Sequence, residues 1–306
     1  MEWAVQSTFL GMQDDPNLSC LILAGQLSRE RQRKGRYNQG DPNRHPATML
    51  PELARALLQR YSAPGERILV PTAGIGTELV EACWLGIDGV GIELDAQWLR
   101  QARWNLAHNF ALGAPGKALL VQGDAREMAT LVDGRFDGAL WSPPYASMLR
   151  QHPAARDRKA REARMAATGY EIRPVTMGGP RSQTSQGTYG SNHKQSHLGY
   201  MTPEEYRRAV TQIMEQLHQV VKPGGWQAVV VRDIRLDGRP VLLLNWMIEA
   251  AEAAGWVYQH RRTALLFRVD GEGIIHERAS WFQRLESRQT GHPIPVTEDI
   301  VVFERP

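Results

Sequence analysis

Four consecutive residues, Ser142-Pro143-Pro144-Tyr145, follow an apolar run that ends at Trp141. Two prolines in a row fix φ and carry no N–H, so the turn is rigid. A rigid turn can aim the serine oxygen and a prolyl carbonyl at one point, where they accept the two hydrogens of an amino group. Tyr145 adds a flat face for stacking a heteroaromatic base. An aromatic amino group needs this help, because its lone pair is delocalised into the ring. Acceptors that draw it toward tetrahedral geometry expose the lone pair to an electrophilic methyl, and they stabilise positive charge developing on nitrogen. The atom is out of reach inside a duplex, so the base must be flipped or single-stranded. A rigid exposed turn without chemistry is the plain alternative for these four residues.

Three further elements precede this turn. Val70-Pro71-Thr72-Ala73-Gly74-Ile75-Gly76-Thr77 sits where a short β-type run becomes a helix. Glycines there let the backbone turn tightly, and the helix start offers N–H donors. Taken alone, such a turn is an ordinary strand–helix junction. Glu93 ends the next β-type run, followed by Leu94, and can accept both hydroxyls of a ribose. Asp124, before Ala125, ends the third and can accept from an adenine amino group. A helix cap is the blander role for Asp124.

Elements must bring these residues to one place. Apolar spacing predicts helices over 49–61, 77–85, 96–112, 125–132, 203–221 and 241–254. Thr202-Pro203-Glu204-Glu205 reads as a capping box with Pro at the first helical position. Strands are expected over 67–70, 89–94, 118–122, 136–141, 226–231, 256–269 and 299–303. This alternation implies βαβ units and a doubly wound, mostly parallel α/β sheet of seven strands, the last antiparallel. The glycine turn and both acids then line its carboxyl edge, where open sheets bind ligands.

The 306 residues suit one enlarged domain: a polar extension over 1–44 and a domain over 45–306. The loop 146–200 and the segment 270–295 are the spare material. The loop carries Arg150, Arg156, Arg158, Lys159, Arg161 and Lys194, with Tyr189 near its end. It reads as a mobile clamp on a phosphate backbone, or as a solvated basic face. Net charge is +3, so affinity for a polyanion has to come from such local patches. Cys20 and Cys83 are too few and too far apart for a disulfide framework or a zinc site, and no metal is expected. The sequence shows no signal peptide and no membrane span, which points to the cytoplasm.

With these motifs in hand, the chain resembles the S-adenosylmethionine-dependent amino-methyltransferases of DNA, from about His45 to the C-terminus. Their signature is Asp, Asn or Ser followed by Pro-Pro-Tyr or Phe. The resemblance implies a class I methyltransferase (Rossmann-like) fold and makes Ser142, Pro143, Pro144 and Tyr145 catalytic. It places the cofactor against His45, Pro46 and Met49, then Pro71, Thr72, Ala73, Gly74, Gly76 and Thr77. Glu93 and Leu94, Asp124 and Ala125, and Ser142 complete that set. Lys222-Pro223-Gly224-Gly225 looks like the common turn before the fifth strand. One departure is Val70-Pro71-Thr72 where the family has Asp-Pro-Phe, which removes a loop-ordering acid.

The Ser variant is commoner among cytosine-N4 enzymes, so the resemblance implies DNA as partner and cytosine N4 as target, with adenine N6 second. A homodimer and a cognate restriction endonuclease are further partners it admits. The alternatives are an RNA enzyme such as a tRNA guanosine-N2 methyltransferase, a methyltransferase of protein glutamine amides, and a catalytically inert nucleic-acid-binding module.

Overall fold

The computed structural model describes residues 20–37, 45, 48–145, 197–236, 239–278, 287 and 296–306. The first half alternates as the apolar pattern requires. Strands β1 (Leu21–Leu23) and β2 (Arg67–Val70) are separated by helices α1 (Arg29–Arg33) and α2 (Pro51–Tyr61). Then follow α3 (Thr77–Trp84), β3 (Asp88–Glu93), α4 (Ala96–Ala111), β4 (Ala118–Gln122), a 3-10 turn (Ala125–Glu127) leading into α5 (Met128–Leu131), and β5 (Phe136–Trp141). The second half holds α6 (Pro203–Val220), β6 (Val221–Val231), the pair β7 (Ile234–Leu236) and β8 (Arg239–Val241), and α7 (Leu243–Ala253). It ends with β9 (Val257–Leu265), β10 (Phe267–Val269), β11 (Ile275–Glu277) and β12 (Thr297–Glu304).

The main sheet has eight strands in the order β1-β9-β12-β6-β5-β2-β3-β4. β12 runs antiparallel to both its neighbours, and the other pairings are parallel. This is the expected class I methyltransferase architecture with one strand more. The two-residue period of each central strand feeds two cores. Leu69, Ala139, Trp141, Val229, Val231, Val301 and Phe303 pack on one face under α6 and α7. Ile68, Val70, Leu140, Ala228, Val230, Ile300 and Val302 pack on the other under α2, α3 and α4. The predicted capping box starts α6: Thr202 Oγ1 accepts from Glu205 N, and Thr202 N donates to Glu205.

Three sequence expectations change. Residues 20–37 were expected to precede the domain as a polar extension, yet they complete it. β1 pairs with β9 through Leu21–Thr263 and Leu23–Leu265, and Ile22, Ala24 and Tyr37 are buried. Lys222–Gly225 was expected to be a turn before β6 and instead lies within it. Phe136 faces Val221 and Gly138 faces Trp226, so the four residues are absorbed as a bulge in the β5–β6 ladder. The single strand expected over 256–269 breaks at Leu266, and β10 and β11 form a separate hairpin.

The N-terminal segment is held by a buried acid. Glu81 on α3 is fully buried. It accepts from Arg36 at 3.0 Å, from the Tyr37 hydroxyl at 3.0 Å and from Arg55 Nη2 of α2 at 2.5 Å. Removing it would leave those partners facing a gap in a poorly solvated site. Glu81→Ala is therefore expected to destabilise the protein by about 3 kcal/mol, read as a lower urea midpoint with unchanged slope. A loss below about 0.5 kcal/mol would mean that the network is solvated and carries little stability.

Candidate active site

One pocket lies at the carboxyl ends of β2, β3, β4 and β5, and it gathers the glycine turn, Glu93, Asp124 and Ser142-Pro143-Pro144-Tyr145. The site begins where β2 ends. Val70 is fully buried, so the position that carries an acid in the resembled family here serves the core. After it the chain turns through Gly74 at φ 53° and Gly76 at φ 79°, a region costly for side chains with a Cβ. The two glycines do different jobs. A Cβ on Gly74 would come 3.3 Å from His45 Nε2, whereas one on Gly76 would come 3.3 Å from the Ala102 methyl of α4. Gly74 therefore faces the pocket beside His45. Gly76 lets α3 approach α4 and is not among the pocket-lining residues.

Glu93 fixes this turn. Its Oε2 accepts from Gly74 N at 2.7 Å and its Oε1 from Asp95 N at 2.8 Å. The carboxylate thus bridges the glycine turn to the start of α4, where Asp95 caps the helix through Gln97 N. Burial pushes the Glu93 carboxyl up to about 7, while the N–H groups of Asp95 and Gly74 pull it back. Asp124 also lines the pocket, but both of its oxygens are engaged by Arg126, one at 3.0 Å and one at 2.5 Å. It also caps the following 3-10 turn through Arg126 N. Asp124 thus takes the plainer of the two roles its place after β4 allowed, a cap and ion pair, while still lining the pocket.

The Ser-Pro-Pro-Tyr turn leaves β5 and is tied to the glycine turn by one bond, from Thr72 Oγ1 to the Ser142 carbonyl at 3.2 Å. Tyr145 packs against the core under α6. The Arg232 guanidinium stands 5.9 Å from its ring centroid.

His45, Met49, Pro71, Ala73, Thr77, Leu94 and Ala125 line the pocket as expected. The His45 ring packs edge-on against Trp98 of α4 with centroids 4.6 Å apart. Pro46 lies outside the described residues, as do Arg150, Arg156, Arg158, Lys159, Arg161, Tyr189 and Lys194, nearly all of the loop 146–200 and most of the segment 270–295. Asp233, which could shape the pocket or cap a helix, accepts from Leu244 N and caps α7. His197 accepts from Gly199 N and shapes the pocket rim locally.

Sequence reasoning left several lining residues unassigned. Arg29 donates to the Thr48 carbonyl and hydroxyl at 3.0 Å, and Arg33 donates to the same hydroxyl and to the Met49 carbonyl. Two arginines of the basic run after β1 thus hold Thr48 and Met49, which line the pocket with His45. Arg232 and Glu298 also line the pocket. Each sits just outside the motifs, at or near a strand end, where sequence spacing alone gives no sign of facing a ligand.

Residues 40–159 match the family model described as UPF0020: RMKL-like, methyltransferase domain. A tRNA (guanine(10)-N2)-dimethyltransferase of Methanothermobacter thermautotrophicus is 31% identical over 117 residues, covering 37% of this chain and 33% of that protein. The chain thus spans about a third of that relative's length. Among solved structures, TrmN from Thermus thermophilus aligns with a TM-score of 0.49 at 17% identity, over 87% of this chain and 52% of that one. A methyltransferase from Pyrococcus furiosus aligns at 0.46 and 14% identity, over 84% and 83%. The glycine turn, Glu93 and the Pro-Pro-Tyr turn all fall inside the matched stretch. The chain carries a methyltransferase domain of class I fold, and the cofactor of that domain is S-adenosylmethionine.

The donor set fits this cofactor. Glu93 gives one lone pair from each oxygen to the backbone, and an ionised carboxylate has about four, which leaves acceptors for two ribose hydroxyls. A protonated Glu93 loses part of that capacity. S-adenosylmethionine affinity is therefore expected to fall as pH drops below about 7. Glu93→Gln should weaken binding and flatten this profile, and any slope that remains belongs to Glu78, a pocket residue also raised to about 7 by burial. Tyr145→Ala should leave cofactor binding unchanged. Calorimetry across about pH 6 to 8 reads all three, and equal losses from the Glu93 and Tyr145 variants would mean that the ribose end is misplaced.

Proposed function

We propose that this protein transfers a methyl group from S-adenosylmethionine to the exocyclic N2 amino group of guanosine in RNA, with tRNA as the first substrate class to test. The observation that carries the transfer is the Thr72–Ser142 bond, which holds an acceptor-bearing Pro-Pro-Tyr turn against the cofactor loop. The similarity over 117 residues to a tRNA guanine-N2 enzyme supports the base and the polymer. The resemblance to DNA enzymes implied cytosine N4. That choice rested on how often Ser occurs in one group of relatives, and the chemistry of the turn suits any aromatic amino group.

S-adenosylmethionine supplies an electrophilic sulfonium methyl. Glu93 holds the ribose, and the glycine turn with His45 bounds the cofactor pocket beside it. Ser142 Oγ and the Pro143 carbonyl accept the two hydrogens of the target amino group, which localises its lone pair. Tyr145 stacks on the base, and the same acceptors stabilise the positive charge on nitrogen until a proton leaves. Neither the buried Cys83, whose thiol burial pushes up to about 12, nor the exposed Cys20 lines the pocket. A covalent thiolate adduct at ring carbon therefore has no nucleophile at Ser142–Tyr145.

The test is labelled methyl transfer to tRNA transcripts and to single- and double-stranded DNA, followed by digestion and mass spectrometry of the nucleosides. N2-methylguanosine is expected. N4-methyldeoxycytidine or N6-methyldeoxyadenosine would return the substrate to DNA and keep the mechanism, whereas 5-methylcytosine would overturn both. Ser142→Ala should lower turnover about a hundredfold while cofactor affinity is retained.

A further inference from the structure

Arg232 directly follows β6 and is 6% exposed, yet it lines the pocket with Ser142 and Tyr145. The Tyr145 ring centroid is 5.9 Å from its guanidinium. Glu298 lines the same pocket. Asp299 pairs with Val231 across the antiparallel β12–β6 ladder, so Glu298 and Arg232 lie one residue further, at the same end of that strand pair. A cation and a carboxylate thus stand at the end of the sheet where the Pro-Pro-Tyr turn presents its acceptors.

We propose that Arg232 selects the target base by donating to O6 of guanine, with Glu298 accepting from N1–H. This rests on the proposed transfer to N2. The Watson–Crick edges of the three amino-bearing bases differ in order. Guanine shows an amino donor, the N1–H donor and the O6 acceptor. Cytosine shows an amino donor followed by two acceptors, N3 and O2. Adenine shows an amino donor and the N1 acceptor, with no carbonyl. A planar guanidinium fork fits a carbonyl acceptor. A carboxylate fits N1–H and repels the ring acceptors of cytosine and adenine. The pair matches guanine and works against the other two bases, as selection by unlike contacts requires.

2-Aminopurine riboside tests this, because it keeps the N2 amino group and lacks both O6 and N1–H. The full chain is assayed on a tRNA transcript carrying guanosine or 2-aminopurine at the methylated position. The wild type is expected to favour guanosine by about 10- to 100-fold in kcat/KM. Arg232→Met should lower the guanosine value alone, cutting the preference to what the Glu298 contact supplies, with cofactor affinity unchanged. Arg232→Lys keeps the charge and loses the fork, and should retain no more than about a tenfold preference. If Arg232→Met lowers both substrates equally, or neither, or if Arg232→Lys matches the wild type, the assignment of Arg232 falls while transfer to N2 stands. If the wild type methylates cytosine or adenine and no guanosine, the guanosine reading falls and takes the Arg232 assignment with it.

Discussion

The Glu93 carboxylate is the contact on which the site depends. A parallel sheet delivers its ligand-facing residues on separate loops, and something must hold those loops in register. Glu93 does so with two short bonds to backbone N–H groups, one in the glycine turn and one at the head of α4. Both donors belong to the main chain, so the bridge survives side-chain variation in either loop. The cost is a carboxylate in a desolvated place, visible in its raised titration. A ligand hydroxyl that donates to it offsets that cost.

Thr72 extends the same logic to the reacting end. The resembled family orders this loop with an acid ahead of the glycines, but Val70 is wholly committed to the core. The hydroxyl two residues later bonds the Ser142 carbonyl instead. Cofactor loop and acceptor turn are thus coupled directly, across the β2–β5 pair that sits at the centre of the sheet. Pairing at only two positions, Ile68–Gly138 and Leu69–Ala139, leaves the carboxyl ends of both strands open above it.

Much of this was legible from residue order. Strand–helix alternation, the glycine turn, the acid at the end of β3 and the rigid Pro-Pro-Tyr turn each have a local physical signature, and their order fixes their place on one sheet edge. The capping box at Thr202 and Glu205 was legible for the same reason. What escaped depends on tertiary partners. β1 is three residues long, and its neighbour β9 lies near the other end of the chain, so no local pattern marks it as part of the sheet. Arg33 carries no local mark of burial, and it is buried where Thr48 and Met49 present acceptors to it. Asp124 caps the turn that directly follows it, as an acid in that place does, whereas Asp233 reaches the start of α7 from ten residues away, across the β7–β8 pair. The identity of the base was not legible, because an acceptor turn suits any aromatic amino group.

The pairing of β1 with β9 also sets an order of assembly. During synthesis residues 20–37 emerge early, but the strand they join forms near the end. Until then the β1 segment has no sheet to add to, and Arg29 and Arg33, which brace the pocket wall at Thr48 and Met49, have not docked. Closing so large a loop is entropically slow. The central strands can fold and carry their glycine turn well before that wall settles. The pocket wall at Thr48 and Met49 is in this sense braced by an early segment that docks on a strand made much later.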